Sequence, residues 1–513
     1  MNEQAGILRG KDFLSADDLN LRALRAARAL HSVGVAAGDT VALLLRNDTA
    51  FFEASFAAGL LGAAPVPMNW HSHPDDILFV LQDSKAKLLV AHADLIRPVL
   101  DRLPMDLEVR VVPTPADIGR TYRIPEEIWS VPAGLTDWLT WIGGFQPWAN
   151  APQEAPAAMM YTSGTTGKPK GVRRPTVSLD RRATSAYYAD VARISGLERA
   201  PRAIVTGPLY HGGPLAWAMG WVRMRGFVVL QARFDPEDLL RLIERHRITH
   251  LCVVPIMFTR LLKLPAEVRG RHDVSSLEHV THGAAPCPRH IKEQMIAWWG
   301  PIIYEQYGSL EIGLVTGADS AEWLAHPGTV GKPLAGVELR ILDDDGREVP
   351  VGEPGEVFTR VGDQPDFTYE GRPEARAEID RDGFVTAGDV GYLDGDGFLY
   401  LCDRKKDMVI SGGVNIFPAE IEECLLTLRG VRDAAVFGIP DDEYGESLAA
   451  AIELDGSVSL SEDDVRAHVR ANLAGFKTPR RVEFMDEIPR LDSGKILKRK
   501  LREAYWAGTG RTI

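Results

Sequence analysis

Apolar runs of strand length alternate with helical segments along the N-terminal part of the chain. An amphipathic helix over Leu21–Leu30 precedes the run TVALLLR (residues 40–46), and the same alternation returns farther along in RAIVTG, PEDLLRLIERHR and ITHLCVVP. Strands separated by helices pair in parallel, because the chain must cross back over the sheet between them. The sequence therefore predicts an α/β fold with layered parallel sheets.

The later part of the chain changes character twice. Residues 328–402 are rich in Gly, Asp and Val with short alternating stretches, which predicts an antiparallel β region. After Asp407 the pattern becomes a small α+β unit. A chain of 513 residues is also too long for one core. We predict a large N-terminal domain over residues 1–405, made of layered α/β subdomains plus the β region, and a small C-terminal domain over residues 406–513.

Charge and cysteine content exclude several classes of function. The net charge of −13 argues against broad nucleic-acid binding, which rests on Lys and Arg. The four cysteines are far apart and form no CxxC pair, so neither a zinc site nor a disulfide framework is indicated. The polar N-terminus and the lack of a long apolar run predict neither secretion nor integral membrane association, and a cytoplasmic location is expected.

The segment YTSGTTGKPKG (residues 161–171) combines glycines, hydroxyls and lysines, which are the groups that bind phosphate oxygens. It does not fit the ordinary P-loop, because Gly164 is three residues before Gly167 and Lys168 is followed by Pro169. A kinase or GTPase is therefore not favoured. Standing alone, the segment would also fit a surface turn.

Four further motifs follow in order: YGSLE, GDVGYLDGDGFLYLCDRKKD, ISGGVNIFPAEIE and PRLDSGKILKR. Together the five motifs resemble the acyl-adenylate-forming superfamily, and within it the acyl-CoA synthetases, or acid–CoA ligases. The resemblance covers nearly the whole chain. It implies an enzyme that converts a carboxylic acid and ATP to acyl-AMP and pyrophosphate, and then transfers the acyl group to CoA with release of AMP.

The resemblance also implies the nucleotide site. A mobile loop would contact the β- and γ-phosphates through Thr162, Ser163, Gly164, Thr165, Thr166, Gly167, Lys168 and Lys170. Adenine would lie between Tyr307, with Gly308 beside it, and a backbone wall at Gly283, Ala284 and Ala285. Asp389 and Arg404 would bind the ribose, although an Asp–Arg pair is also common on protein surfaces. Glu311 would bind Mg²⁺, a hard cation that prefers oxygen.

The same resemblance assigns the C-terminal residues. Lys495 would be the catalytic lysine of adenylate formation, although the basic run around it would also fit a solvated face. Lys406 would be the hinge on which the small domain moves between half-reactions. Gly412 and Gly413 would let the pantetheine arm of CoA approach the backbone, and Tyr444 and Phe476 would contact the CoA nucleotide.

The acyl pocket is implied by PLYHGGPLAW (residues 208–217). His211 would lie near the reacting carboxylate and belong to the catalytic set, and Gly212, Gly213 and Gly308 would leave volume for an acid bulkier than acetate. The glycines would equally fit a tight turn. One residue departs from the family pattern, because Leu310 stands where relatives usually have Thr or Ser before the glutamate.

Two alternatives to the ligase stay open from sequence. A stand-alone adenylating enzyme would load the phosphopantetheine of a carrier protein instead of CoA, and a decayed relative would bind nucleotide without catalysis, with Leu310 as its only support. An α/β-hydrolase is disfavoured because no G-x-S-x-G occurs. A homodimer is expected only because twofold oligomers are common.

Overall fold

The structure is a computed structural model that describes residues 4–162, 169–178, 183–412, 414–490 and 496–507. Its strands, in chain order, are β1 Gly6–Arg9, β2 Asp12–Ser15, β3 Thr40–Leu44, β4 Ala64–Pro67, β5 Leu88–His92, β6 Glu108–Val112, β7 Thr136–Asp137, β8 Met160–Thr162, β9 Lys170–Arg173, β10 Arg202–Val205, β11 Phe227–Leu230, β12 His250–Val253, β13 His279–His282, β14 Ile303–Ser309, β15 Gly313–Ala318, β16 Lys332–Pro333, β17 Val337–Leu342, β18 Gly355–Val361, β19 Thr368–Tyr369, β20 Asp380–Arg381, β21 Phe384–Leu393, β22 Leu399–Arg404, β23 Val409–Ser411, β24 Val414–Ile416, β25 Val431–Asp441, β26 Gly445–Leu454 and β27 Arg481–Met485.

The α-helices described are Ala16–Ser32, Thr49–Leu60, Pro74–Asp83, Ala93–Ile96, Ala116–Thr121, Trp138–Gly143, Ala186–Ser195, Gly212–Arg223, Pro236–His246, Pro255–Leu262, Ala266–Arg269, Arg289–Trp299, Ser320–Ala325, Pro373–Ala377, Pro418–Leu426, Glu462–Asn472 and Lys498–Trp506. Within the described ranges, no helix combines the length and the apolar character needed to cross a bilayer.

Two parallel sheets form the N-terminal part. The first has the order β4-β3-β5-β6-β7 and is parallel throughout. The second has the order β16-β15-β14-β13-β12-β10-β11-β1-β2, with antiparallel strands only at its two ends. Strands β3 and β5 are buried along their whole length, as expected for strands covered by helices on both faces. The predicted α/β fold is confirmed.

The region predicted to be antiparallel is confirmed as well. Strands β17, β18, β20, β21 and β22 form an antiparallel sheet, and β8, β9 and β19 form a small one beside it. The C-terminal part has the sheet β24-β23-β26-β25, with β27 parallel to β26. Its buried core includes Ile421 and Leu425 of the helix that begins at Pro418. The domain boundary at Lys406 stays a prediction.

Buried charges join the two parallel sheets. Asp48, the N-cap of the helix Thr49–Leu60 that follows β3, pairs with Arg9 of β1 through Nε at 3.1 Å and with Nε2 of His92 at 3.0 Å. The other ring nitrogen of His92 accepts the N–H of Arg46, so Nε2 is the nitrogen that donates to Asp48. Burial alone would raise the pKa of Asp48, but the hydrogen bond from His92 and the charge of Arg9 outweigh it and hold this pKa below its usual range.

We expect Asp48→Ala to lower the free energy of unfolding of the N-terminal part by about 3–5 kcal/mol, because Arg9 and His92 lose a buried partner. Asp12→Ala is the matched control, since Asp12 pairs with the same arginine from an exposed position, and it should cost at most about 1 kcal/mol. Denaturant titrations of the two variants test the difference. Because the pKa of Asp48 is lowered by folding, its contribution is present above the unfolded-state pKa and is lost as the pH falls through the folded-state pKa. Equal losses in the two variants would contradict the role of Asp48.

Candidate functional site

Three of the predicted nucleotide residues meet at the junction of the large sheet and the antiparallel region. The hydroxyl of Tyr307, near the end of β14, donates to Oδ2 of Asp389 at 2.8 Å. Nε of Arg404 lies 3.3 Å from Oδ1 of the same carboxylate, because Asp389 and Arg404 are paired across β21 and β22. Burial, followed by the charge of Asp389, raises the pKa of Tyr307 well above its ordinary value. The tyrosine is therefore neutral and acts as the donor.

The predicted adenine wall, residues 283–285, lies close to the backbone of the strand that carries Tyr307. A Cβ on Gly283 would stand 2.7 Å from the carbonyl oxygen of Gln306, and a Cβ on Gly308 would stand 2.1 Å from the carbonyl oxygen of Gly313. Ala284 has a φ of 68°, in the left-handed region that non-glycine residues rarely adopt. The loop at residues 283–285 thus lies directly against the strand that carries Tyr307.

The carboxylate of Glu311 is held by two hydroxyls. Oε2 accepts from Oγ of Ser309 at 3.0 Å, and Oε1 accepts from the hydroxyl of Tyr369 at 3.2 Å. Nζ of Lys170 lies 5.2 Å from the centre of the Tyr369 ring. Lys170 therefore lies near the ring of Tyr369 and Glu311 accepts from its hydroxyl, although Lys170 and Glu311 are far apart in sequence.

Arg174 orders the turn that contains Glu311. Its Nη2 donates to the carbonyl oxygens of Leu310 at 3.0 Å and Glu311 at 2.5 Å, and its Nη1 donates to that of Pro365 at 2.8 Å. Sequence reasoning missed Arg174, Ser309 and Tyr369. The paired arginines in GVRRPT were the available signal for Arg174, whereas nothing local marked the tyrosine.

Asp83 and Arg372 bond the residues that flank the predicted phosphate loop on its two sides. Asp83 accepts from the hydroxyl of Tyr161 at 2.8 Å, and Arg372 donates to the carbonyl oxygen of Pro169 at 2.9 Å. Thr162 ends β8. Of the predicted loop residues, Ser163, Gly164, Thr165, Thr166, Gly167 and Lys168 lie outside the described residues.

The predicted acyl wall lies where a buried strand leads into a helix. His211 is the N-cap of the helix Gly212–Arg223, and its side chain makes no capping hydrogen bond. A Cβ on Gly212 would stand 2.7 Å from Cδ2 of Leu310, whereas one on Gly213 would be in ordinary contact with Trp217 at 3.6 Å. The structure thus places Leu310, the residue that departs from the family pattern, against the predicted acyl wall.

The predicted hinge segment at Lys406 is bonded to the last described helix, Lys498–Trp506. Arg502 donates to the carbonyl oxygen of Lys406 at 3.3 Å and to Asp407 at 2.7 Å, and Nζ of Lys498 pairs with Glu422 at 2.8 Å. Arg502 and Lys498 are mostly buried, so the reading of the basic run as a wholly solvated face is wrong for these two members. Burial, followed by the charge of Arg404, lowers the pKa of Lys406.

The predicted CoA residues fall on an exposed part of the C-terminal sheet. Gly412 has a φ of 56° and donates its N–H to the carbonyl oxygen of Tyr444 at 2.9 Å. Tyr444 is partly exposed, and Phe476, in the 3-10 turn Gly475–Lys477 before β27, has more than half of its surface exposed. Gly413 and Lys495 lie outside the described residues.

The chemistry of the site fits Mg²⁺ shared with a nucleotide. Glu311 offers carboxylate oxygen, and Mg²⁺ in phosphate-transfer sites is commonly held by one or two carboxylates while phosphates and water complete the shell. Among the described residues no group of three or more His, Cys, Asp or Glu could hold a metal by itself. His246 and His250, four residues apart in sequence, belong to different elements, the helix Pro236–His246 and β12.

Comparisons with known proteins agree with this geometry. A family model described as AMP-binding enzyme matches residues 4–364, and one described as AMP-binding enzyme C-terminal domain matches residues 420–495. A feruloyl-CoA synthase of Amycolatopsis is 34% identical over 503 residues, which cover 97% of this chain and 95% of the relative. A fatty acid–acyl-carrier-protein ligase, ScoC of Streptomyces coeruleorubidus, is 32% identical over 513 residues, covering 98% and 93%.

A solved structure shows the same architecture. The o-succinylbenzoate CoA synthetase MenE of Bacillus subtilis, in complex with its acyl-adenylate OSB-AMP, superposes with a TM-score of 0.78 at 28% identity, over 97% of this chain and 95% of that one. The family matches span most of the chain, and these relatives cover nearly its full length. The chain therefore belongs to the AMP-binding enzymes of the acyl-adenylate-forming superfamily, as its motifs predicted.

Proposed function

We propose that this protein is an ATP-dependent acid–CoA ligase that activates a carboxylic acid bulkier than acetate. The observation that carries the proposal is the joined set of Tyr307, Asp389 and Arg404, which brings an aromatic ring, a carboxylate and a guanidinium to one place. Glu311 and Lys170 stand beside Tyr369 as the candidate groups for the metal and the phosphates. The names of the CoA-ligase relatives support the thiol acceptor.

The reaction needs cations because both reactants are anions. A carboxylate oxygen attacks the α-phosphorus of ATP, the bond to the β-phosphate oxygen breaks, and pyrophosphate leaves. Lys495 would offset the repulsion between the two anions, Lys170 would contact the β- and γ-phosphates, and bound Mg²⁺ would neutralise phosphate charge. The thiol of CoA then loses its proton and attacks the acyl carbon, and AMP leaves. Gly412, Gly413, Tyr444 and Phe476 would receive the CoA in this second step.

A carrier protein is the second candidate acceptor. The similarity to ScoC, whose name specifies an acyl-carrier protein, is the observation that favours it. The two acceptors present the same phosphopantetheine thiol, so the residues around Gly412 do not separate them. Mg²⁺ dependence, a homodimer and a cytoplasmic location belong to the same proposal.

The deciding experiment measures AMP release from ATP and Mg²⁺ across short-chain, medium-chain, branched, alicyclic and aromatic acids, each with and without CoA. CoA-dependent turnover of one acid class would establish the ligase. Acid-dependent pyrophosphate release that CoA does not accelerate would indicate a carrier-protein acceptor. No acid-dependent release with any member of the panel would contradict both and favour a decayed nucleotide-binding relative.

Lys495→Ala should slow adenylate formation by about 10²–10³-fold, because a positioned charge that acts on developing anions supplies a factor of that order. Thioester formation from supplied acyl-AMP should change little. Lys500→Ala is the matched control, since Lys500 is an exposed lysine on the following helix. Pyrophosphate exchange and single-turnover thioester assays measure the two steps separately. Equal losses in both steps would remove Lys495 from adenylate formation.

Leu310 and Gly212 should behave as a coupled pair, because the space that a Cβ at 212 would need is taken by the leucine. We expect Gly212→Ala to destabilise the protein by about 1–3 kcal/mol and to raise the KM for the acid. Adding Leu310→Thr should recover most of both losses. Its hydroxyl, of the kind that relatives usually have at this position, should also speed adenylation if a donor to the α-phosphate limits that step. Gly213→Ala is the control, with room for its methyl group. Additive effects of the two substitutions, measured by thermal unfolding and acid KM, would contradict the coupling.

A further inference from the structure

Asn47 is a buried amide in the loop beyond β3, between Arg46, which pairs within the first sheet, and Asp48, which joins the two sheets. Its neighbour Arg46 pairs with Asp94 at 2.8 Å, and its neighbour Asp48 pairs with Arg9 and His92. Those ion pairs already hold the first sheet to its surroundings. The contacts of Asn47 go elsewhere, to the loops that follow two strands of the large sheet.

The side chain of Asn47 makes three hydrogen bonds, all to backbone groups. Nδ2 donates to the carbonyl oxygens of Gly207 at 3.1 Å and Gln231 at 3.3 Å, and Oδ1 accepts the N–H of Leu209 at 3.0 Å. These bonds use both N–H groups and the oxygen of the amide. If the amide were flipped, its oxygen would face two carbonyl oxygens and its NH₂ group would face the N–H of Leu209. The three backbone groups therefore define the orientation of the amide.

Two of these backbone groups belong to the short loop that ends at His211. Gly207 and Leu209 are four and two residues before the histidine, and the N–H of His211 closes a turn onto the carbonyl oxygen of Pro208 at 3.1 Å. Tyr210 is held separately, because the Trp70 ring meets its ring edge-on with centroids 5.9 Å apart. The Tyr210 ring in turn lies 4.4 Å from that of His211.

We infer that Asn47 is a positioning residue for the acyl pocket, fixing the loop Gly207–Leu209 so that His211 and the first turn of the helix Gly212–Arg223 keep one position. The inference rests on the proposed role of His211 in the acyl wall. An amide suits this task because it is uncharged and can both donate and accept. A carboxylate of the same shape would face two carbonyl oxygens, and an alanine would leave three buried backbone groups without their partner.

The test compares Asn47→Ala with Ser320→Ala in the full-length enzyme. Ser320 is equally buried and also bridges backbone groups, since its Oγ bonds the carbonyl oxygen and the N–H of Ile303 at 2.8 and 3.1 Å, but it lies at another edge of the large sheet. Asn47→Ala should raise the KM for the acid about tenfold, the effect of roughly 1.4 kcal/mol, and leave the KM for ATP within about twofold. Asn47→Asp should be worse. Ser320→Ala should lower the melting temperature with neither KM changed.

A second measurement separates positioning from loss of stability. Selectivity between the preferred acid and its homologue with one more methylene should fall in Asn47→Ala and in His211→Ala, but not in Ser320→Ala. If Asn47→Ala does not fold, Asn47→Ser decides the matter, because it keeps a donor and an acceptor on a shorter side chain and should show a smaller rise in acid KM.

Three results would overturn the inference. One is an unchanged KM for the acid and an unchanged acid selectivity in the Asn47 variants, when the wild-type enzyme turns over the acid. That result would leave the proposed ligase function standing. Another is a parallel rise of the ATP and acid KM values. The third is a large effect of Asn47→Ala with none of His211→Ala, which would show that His211 is not the group being positioned. Absence of acid-dependent turnover in the wild type would instead refute the proposed function, and the acyl-pocket role of Asn47 with it.

Discussion

The pairing of Asp48 with Arg9 and His92 is the constraint on which the N-terminal architecture depends. Two parallel sheets meet where β3 ends, and residues 46–48 place a cation, an amide and an anion in succession at that point. Removing Asp48 would leave Arg9 with only the partly exposed Asp117 and the exposed Asp12, and His92 without its acceptor, so the join tolerates little variation. The loops that follow β10 and β11 contact residue 47 at this join, and the loop after β10 leads to His211.

The proposed nucleotide site depends on a second kind of junction, made by hydrogen bonds to backbone groups and by close approach of one backbone segment to another. Gly283 and Gly308 have no room for a methyl group, and Arg174 connects three carbonyl oxygens around Glu311. Such contacts fix main-chain positions without a charge partner. A site that must bind ATP, acyl-AMP and AMP in turn gains from a rigid frame of this kind, because its side chains then need little rearrangement between steps.

Much of the fold and part of the site could be predicted from the sequence. The alternation of strands and helices gave parallel sheets, and motif order gave the family, because both are local patterns. Tyr369 and Asn47 could not be found in this way. The first meets Glu311 and the second meets Gly207 only through tertiary packing, and no local spacing encodes those contacts. The basic run near Lys498 is the opposite case. Its density of charge also fitted a solvated face, but Glu422 and Asp407 provide mostly buried partners for Lys498 and Arg502.

The same buried pairs indicate which parts of the chain would move together if Lys406 is the hinge between the two half-reactions. Arg490 pairs with Asp433 at 2.9 Å and bridges to Ile496, and Lys498 pairs with Glu422, so the chain on both sides of residues 491–495 is fastened to the C-terminal sheet and its helix. Arg502 extends this connection to Asp407, next to Lys406. A rotation at the proposed hinge, Lys406, would therefore carry both flanks of Lys495 and the segment at Gly412 as one body.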